Sequence, residues 1–209
     1  MKKHKVWIKR VDNIRQRYLK NQSAFTQATK KNPTDLIAAQ RFGAENIKKL
    51  EKIGEGRDRK VYALDDDKVL KIAKNPAGLA QNEQESDLRY IDNLEFEEQG
   101  KDYVVTERVP RNDSKIKKFL APLKDLSQID AEKHSSEYQD ALEKINKSDL
   151  DNYNVAMNDL KRPSSWGIKN GEPVLIDAGA LSIQATNKDA HEFDKKEWQE
   201  VLQLRRQHK

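Results

Sequence analysis

The chain has 209 residues, is 35% hydrophobic and 36% charged, and carries a net charge of +5; this predicts one domain, or one domain plus an appendage, with a modest core and a highly charged surface. No stretch approaches the roughly 20 apolar residues of a membrane span, and the basic start Met1-Lys2-Lys3-His4-Lys5 lacks the apolar run of a secretory signal. Cysteine is absent, which excludes a disulfide framework and a thiolate metal site and fits a reducing cytoplasm.

The charge is unevenly spread. Residues 1–52 carry 14 Lys/Arg and 4 Asp/Glu, a net of +10, whereas the remainder carries 26 and 31, a net of −5. A basic arm of this kind meets nucleic acid, a membrane surface or an acidic partner, or it is a solvated helical face or a cap on the acidic remainder of the same chain. The second reading is preferred, because Lys-rich helix surfaces are ordinary.

Trp7, Val11, Ile14 and Tyr18 recur at helical spacing within that arm. Pro33-Thr34-Asp35 predicts a second helix start with Thr34 as cap and Leu36, Ile37, Ala39 and Phe42 on its buried side. A third short helix or turn is expected through Ile47 and Leu50. From Leu50 the pattern changes to strands. Lys52-Ile53-Gly54 and Lys60 to Leu64 flank a loop containing Gly54 and Gly56, and Asp65-Asp66-Asp67 reads as a solvated turn into a third strand, Lys68 to Ala73. Gln81 to Asn93 is a helical pattern with Leu88, Ile91 and Leu94 turned inward. Lys101 to Val109 contains a strand ending near Pro110. Polar helices follow between about Ser114 and Tyr153, marked by Leu120, Leu123 and Leu126 and then by Leu142 and Ile145. Trp166-Gly167-Ile168, a turn at Lys169 to Glu172, and Pro173 to Asp177 form a hairpin. The last segment, Lys188 to Lys209, places Phe193, Trp198, Val201 and Leu202 on one helical side.

Four segments carry chemistry. A strand–loop–strand with Gly54 and Gly56 lets backbone amides approach a phosphate, because glycine permits φ > 0 and close contact. Lys71 lies on an apolar strand and needs an anionic partner, since an unpaired buried ammonium is costly. Glu85 suits that role better than Glu83, because Leu88 falls three residues after Glu85, where the helix packs inward. Asp177 ends the buried strand Val174-Leu175-Ile176 and is followed by Ala178-Gly179, a place where a carboxylate holds an ion. Asn158-Asp159-Leu160 precedes Ser164-Ser165-Trp166-Gly167-Ile168.

In this order the segments resemble the ATP-handling half of a protein kinase, and the Ser-Ser-Trp-Gly stretch is similar to small kinase-like proteins of bacteriophages. The resemblance spans about Ile53 to Gly179. It implies an α+β, truncated protein-kinase-like two-lobe fold with an N-terminal helical extension: residues 1–50 the basic helical extension, 51–110 a small sheet lobe with the Gly loop and one helix, and 111–209 a reduced helical lobe carrying the Asp159 loop and Asp177. It implies ATP and Mg²⁺ as cofactors. Gly54, Gly56, Arg59 and Lys71 would meet the phosphates, and Thr106, Glu107 and Val109 would line the adenine edge. Asp177 would hold Mg²⁺, with Ser164 or Ser165 as a second ligand depending on a one-residue gap; Ser165 is taken. Asp159, Lys71 and Glu85 would be the catalytic set, Asp159 orienting or deprotonating the acceptor. This sequence departs from the family pattern in four places. Arg59 stands where a third glycine is usual, Met157 and Asn158 replace His and Arg, Ser replaces the second metal-binding Asn, and Ala178 replaces Phe. No Ala-Pro-Glu element is present and only 30 residues follow Gly179.

The expected function is therefore ATP- and Mg²⁺-dependent phosphoryl transfer. The alternatives are a nucleotide-binding or inactive pseudokinase, and a kinase-derived scaffold or virion-associated protein with a partner at the N-terminal helices. Nucleic acid is the less favoured partner and no membrane is expected. The resemblance would place the protein in the host cytoplasm or the virion. His4, His134, His191 and His208 show no metal spacing, and neither a Gly-x-Ser-x-Gly nor a full Walker loop occurs. Trp7, Trp166 and Trp198 read as packing anchors.

Overall fold

The chain divides into two units, Met1–Pro33 and Thr34–Lys209. The structure, a computed structural model, describes residues 35–92, 94–152, 157–177 and 188–208, all within the second unit. The Trp7 stripe, the Thr34 cap, Ala178 and Gly179 lie outside the described residues, as do the side chains of Leu88, Ile91, His191 and Phe193.

The fold is α+β. Five antiparallel strands, β1 (Lys52–Glu55), β2 (Arg59–Ala63), β3 (Lys68–Ala73), β4 (Phe96–Gln99) and β5 (Tyr103–Glu107), form one sheet in the order β1-β2-β3-β5-β4. A two-stranded hairpin, β6 (Trp166–Lys169) with β7 (Glu172–Leu175), stands apart from it. The β2–β3 turn is the expected triple-Asp turn: Asp65, Asp66 and Asp67 are exposed, and the Asp67 amide donates to the Asp65 carboxylate at 2.8 Å. The β6–β7 turn places Asn170 at φ 50° and Gly171 at φ 84°. Two consecutive positive φ values define the tight hairpin turn that Asn-Gly favours.

Strand alternation sorts the sheet into two faces. Leu70, Tyr103 and Val105 pack with Ala38, Phe42 and Leu50 on one face. This face is covered by a π-helical turn, Ala39–Gly43, and by α1 (Ala44–Lys49). Here the structure differs from the sequence reading. Leu36 is 39% exposed, while Ile37 and Ala38 are buried. The helical turn begins after Ile37; Ile37, Ala39 and Phe42 pack inward as expected, and Leu36 does not.

The opposite face carries Lys71, flanked in register by Val61 on β2 and Val104 on β5. α2 (Pro76–Asp92) crosses this face and begins five residues before the expected start. Gly78 explains the close crossing: a Cβ there would sit 2.3 Å from the Asp58 carbonyl oxygen and 3.0 Å from the Ala73 backbone.

A separate apolar core gathers α3 (Asp113–Phe119), α4 (Gln128–Glu132), α5 (Ser136–Lys144), α6 (Met157–Leu160) and the hairpin. Leu123, Leu142, Leu150, Leu160 and Trp166 are fully enclosed there. Trp166 meets the Phe119 ring edge-on at 5.0 Å and donates from Nε1 to the Leu160 carbonyl at 2.8 Å. Ser127 and Asp130 form a capping box at the start of α4, which satisfies amides the helix leaves orphaned.

The last helix, α7 (Lys188–Gln207), packs on the sheet side, although the sequence grouped it with residues 111–209. Val201, with Trp198 and Leu204, meets Ile37, Ala73 and Leu79. Arg205 donates to the Asp102 carboxylate at 2.8 Å and to the Ala73 carbonyl at 2.7 Å. Asp102 is 1% exposed and also accepts from the Ala38 amide at 2.7 Å. One carboxylate thus ties residue 38, the β4–β5 turn and α7 together. Among the described residues no helix is long and apolar enough to cross a membrane.

Candidate functional site

Lys71 is held on the inner sheet face by the alternation of β3, and its side chain is 6% exposed. Its ammonium pairs with Glu85 of α2 and donates to the Ile176 carbonyl, one residue before Asp177. Glu85 is 2% exposed, whereas Glu83 is exposed. Lys71 and Glu85 therefore pair directly, and Lys71 reaches the backbone beside Asp177.

Arg59 joins them. It opens β2, is 4% exposed, and lies in the sheet interior. One end of its guanidinium pairs with the second oxygen of Glu85, and the other pairs with Asp177 Oδ1. Asp177–Arg59–Glu85–Lys71 is a chain of alternating charge with two cations and two carboxylates. Burial of ions costs several kcal/mol per group, and mutual pairing in good geometry offsets it. Asp177 is the exposed end, with 59% of its side chain open to solvent. Partial burial works to raise its carboxyl, but Arg59 and then Lys71 outweigh this and hold it below its ordinary value.

Asn82 lies three residues before Glu85 on the same face of α2, the spacing that stacks helical neighbours. Its Oδ1 accepts from Arg59 at 3.3 Å. Because Arg can only donate, this contact fixes the amide orientation. The Asn82 Nδ2 is left buried with no hydrogen-bond partner among the described residues. Sequence reasoning missed Asn82, although the i, i+3 spacing from Glu85 was the available signal.

The glycine loop is pinned. Asp58 is 6% exposed and accepts from Arg57 at 2.9 Å, Asn75 at 3.0 Å and Gln81 at 3.3 Å, while its carbonyl accepts from the Lys74 amide at 2.7 Å. Lys74 also reaches the Gly56 carbonyl at 3.0 Å and the Glu55 carboxylate at 2.9 Å. Lys74 and Lys52 draw the Glu55 carboxyl down to about 2. Glycine permits positive φ, but neither Gly54 nor Gly56 adopts it. A Cβ on Gly54 would make ordinary contact with Val61, and one on Gly56 would meet nothing within 4 Å. Their contribution is an open backbone, not an unusual conformation.

Asp159 sits on α6, 3.3 Å from Arg162 and 20% exposed. Its charge adds to the raising of Arg57, after the larger effect of Asp58, and Arg162 adds to the lowering of Asp177, after Arg59 and Lys71. Met157, where the family pattern has His, is buried in the helical core. Ser165 is 1% exposed, and its carbonyl accepts from the amides of Ile176 at 2.8 Å and Asp177 at 3.2 Å. It positions Asp177 through its main chain. Among the described residues no three His, Asp or Glu side chains gather as metal ligands.

Thr106 pairs in register with Val69 and is buried, with its hydroxyl unpartnered among the described residues. Val109 packs with Leu94, Val174 and Ile176, joining the sheet to the hairpin. Gly167 permits this approach, since a Cβ there would lie 2.6 Å from Val109 Cγ1. Glu107 turns away: its carboxylate pairs with Lys169 and its amide donates to the Glu95 carbonyl at 2.8 Å. His134 contacts Asp151 at 2.7 Å and His208 contacts Gln40 at 2.9 Å, both far from this cluster in the sequence. No protein-family model and no curated protein matches the chain.

Proposed function

We propose that the protein is an ATP- and Mg²⁺-dependent phosphotransferase with a truncated protein-kinase-like, two-lobe fold. In this reading the five-stranded sheet with α2 is the small lobe, and α3 to α6 with the β6–β7 hairpin form the reduced helical lobe. The observation that carries it is Lys71, buried, braced by Glu85 from α2, and in contact with the backbone beside Asp177. The carbonyl that Lys71 reaches belongs to Ile176, which packs with Val109 and Val174; in this reading that apolar cluster would floor the nucleotide cleft, and Thr106 has a buried hydroxyl unpartnered among the described residues.

The residues divide the work of phosphoryl transfer, which is mainly positioning and electrostatics. Lys71 and Arg59 supply positive charge to the phosphates, and the open backbone at Gly54 and Gly56 admits them closely. Asp159 receives or orients the acceptor's proton. The donor set suits Mg²⁺: Asp177 is an exposed carboxylate with one oxygen unengaged among the described residues, and Mg²⁺ takes one or two carboxylates with the rest supplied by phosphate and water. When bound, the ion supplies charge neutralisation on the phosphates.

A second reading, nucleotide binding without transfer, is favoured by one observation: Arg59 already engages the carboxylate that would take the metal. Two measurements separate these. A melting scan with millimolar ATP and Mg²⁺ should raise the wild-type Tm, by about 2.7 kcal/mol of stabilisation at a hundredfold excess over Kd, and Lys71→Met should abolish the rise. Transfer of labelled γ-phosphate to protein or water should then be present in wild type and lost in Asp159→Asn. A shift without transfer selects the second reading, and no shift at all sinks both.

A further inference from the structure

The position one residue before Lys60 is where an unusual side chain enters the site. Arg59 is enclosed, its guanidinium is oriented at three points (Glu85, Asn82 and Asp177), and it cannot lose its charge. It therefore neutralises Asp177 permanently from inside the fold. Asn82 Nδ2, in the same cluster, is a buried donor with no acceptor among the described residues. Two cations balance two carboxylates in this cluster, and its spare buried group among the described residues is the Asn82 donor, so an anion arriving there meets a donor and no net negative charge.

We infer that Arg59 is a built-in counter-ion that takes over part of the divalent cation's electrostatic role, so that a nucleoside triphosphate binds this site with little dependence on Mg²⁺. The inference rests on the reading of the cleft as a nucleotide site. Without Arg59, Asp177 would present a bare carboxylate to the polyphosphate, and like charges at close range repel unless a metal intervenes. With Arg59 bound to one oxygen, that repulsion is cut before any metal arrives. A metal approaching Asp177 meets a carboxylate already half neutralised and gains less from it. Both effects shrink the thermodynamic coupling between metal and nucleotide.

The coupling is read directly by calorimetric titration of ATP into the full chain, with Mg²⁺ or with EDTA. In wild type the Kd ratio, EDTA over Mg²⁺, should be under about tenfold, and in Arg59→Gln it should grow by about 10- to 100-fold, within the usual range of coupling between two sites. Arg59→Lys keeps the charge but cannot fork between Glu85 and Asp177, so its ratio should lie between the two. If Arg59→Gln does not fold, wild type and Arg59→Lys decide the matter alone. A wild-type ratio above about 100-fold overturns the inference, as does an equal ratio, within about threefold, in wild type and the variants. ATP binding that is metal-dependent to the same degree in every variant removes this inference and leaves the proposed function standing. Absence of ATP binding to wild type under both conditions removes both.

Discussion

Removing the carboxylate of Glu85 tests the central cluster most severely. Glu85 is 2% exposed and, among the described residues, is the carboxylate that touches both buried cations. Truncation to Ala leaves Lys71 with the Ile176 carbonyl and Arg59 with Asp177 and the Asn82 oxygen. Breaking a buried pair by deleting one partner costs roughly 3–5 kcal/mol. The remaining contacts at each cation place the expected loss toward the lower end, about 3–4 kcal/mol. For a chain of this length each kcal/mol moves the midpoint by roughly 2–4 °C, so the fall in Tm should be about 6–16 °C. Thermal melts followed by far-ultraviolet circular dichroism measure it. Glu85→Gln, which keeps the shape and one acceptor, should lose less. Adding Lys71→Met to Glu85→Ala removes one stranded cation, so the double variant should be more stable than the sum of the single losses. A Tm for Glu85→Ala within about 2 °C of wild type would mean that Glu85 is not the buried hub described above, and the reasoning would fail with it.

Three further outcomes follow from other parts of the fold. Gly78→Ala forces a methyl against the Asp58 carbonyl at 2.3 Å; because the obstacle is backbone, the loss should be about 1–3 kcal/mol in urea melts, and a neutral result would show that α2 rides higher over the sheet. Arg205→Ala strands the buried Asp102 carboxylate; denaturation should show a loss of about 2–4 kcal/mol, larger than that of Lys101→Ala, whose partner Glu200 is exposed. At Asp58, burial acts to raise the carboxyl, but Arg57 and Asn75 hold it below its ordinary value of 3.8. The stabilisation from such a depressed acid is complete above that value and disappears as pH falls through the lower folded one. The stability gap between wild type and Asp58→Asn should therefore be full at pH 6 and narrow below about pH 3.8; a gap that widens in acid would reverse the assignment.

Much of the sheet was legible because its strands are short apolar runs between strong turn signals. Lys68 to Ala73 was read with both ends correct, and the triple-Asp turn and the Asn170-Gly171 hairpin announced themselves in the same way. β4 was not, since Phe96-Glu97-Glu98-Gln99 has one apolar residue and becomes a strand only by pairing with β5 at the sheet edge. The Lys71–Glu85–Asp177 convergence was also legible, because a lysine on an apolar strand demands a partner and helix phase chose Glu85 over Glu83. The sequence places Arg59 in the glycine loop, facing phosphate. Nothing local says that it turns inward, because the carboxylates that draw it in lie 26 and 118 residues away. The same holds for α7. Its apolar stripe was plain, but which surface it covers is decided by Asp102 and Ala73, far upstream.

The seating of α7 has a consequence for biosynthesis. The β-strands from Lys52 to Glu107 emerge from the ribosome well before the helix that covers Ala73, Leu79 and Ile37. Until Val201 and Arg205 arrive, that apolar seam stays wet and Asp102 lacks its guanidinium, so the sheet waits on α7. The nascent chain is consequently most exposed to chaperones and proteases during the interval before α7 clears the exit tunnel, and truncations that remove Val201 and Arg205 should be cleared quickly rather than accumulate as stable fragments.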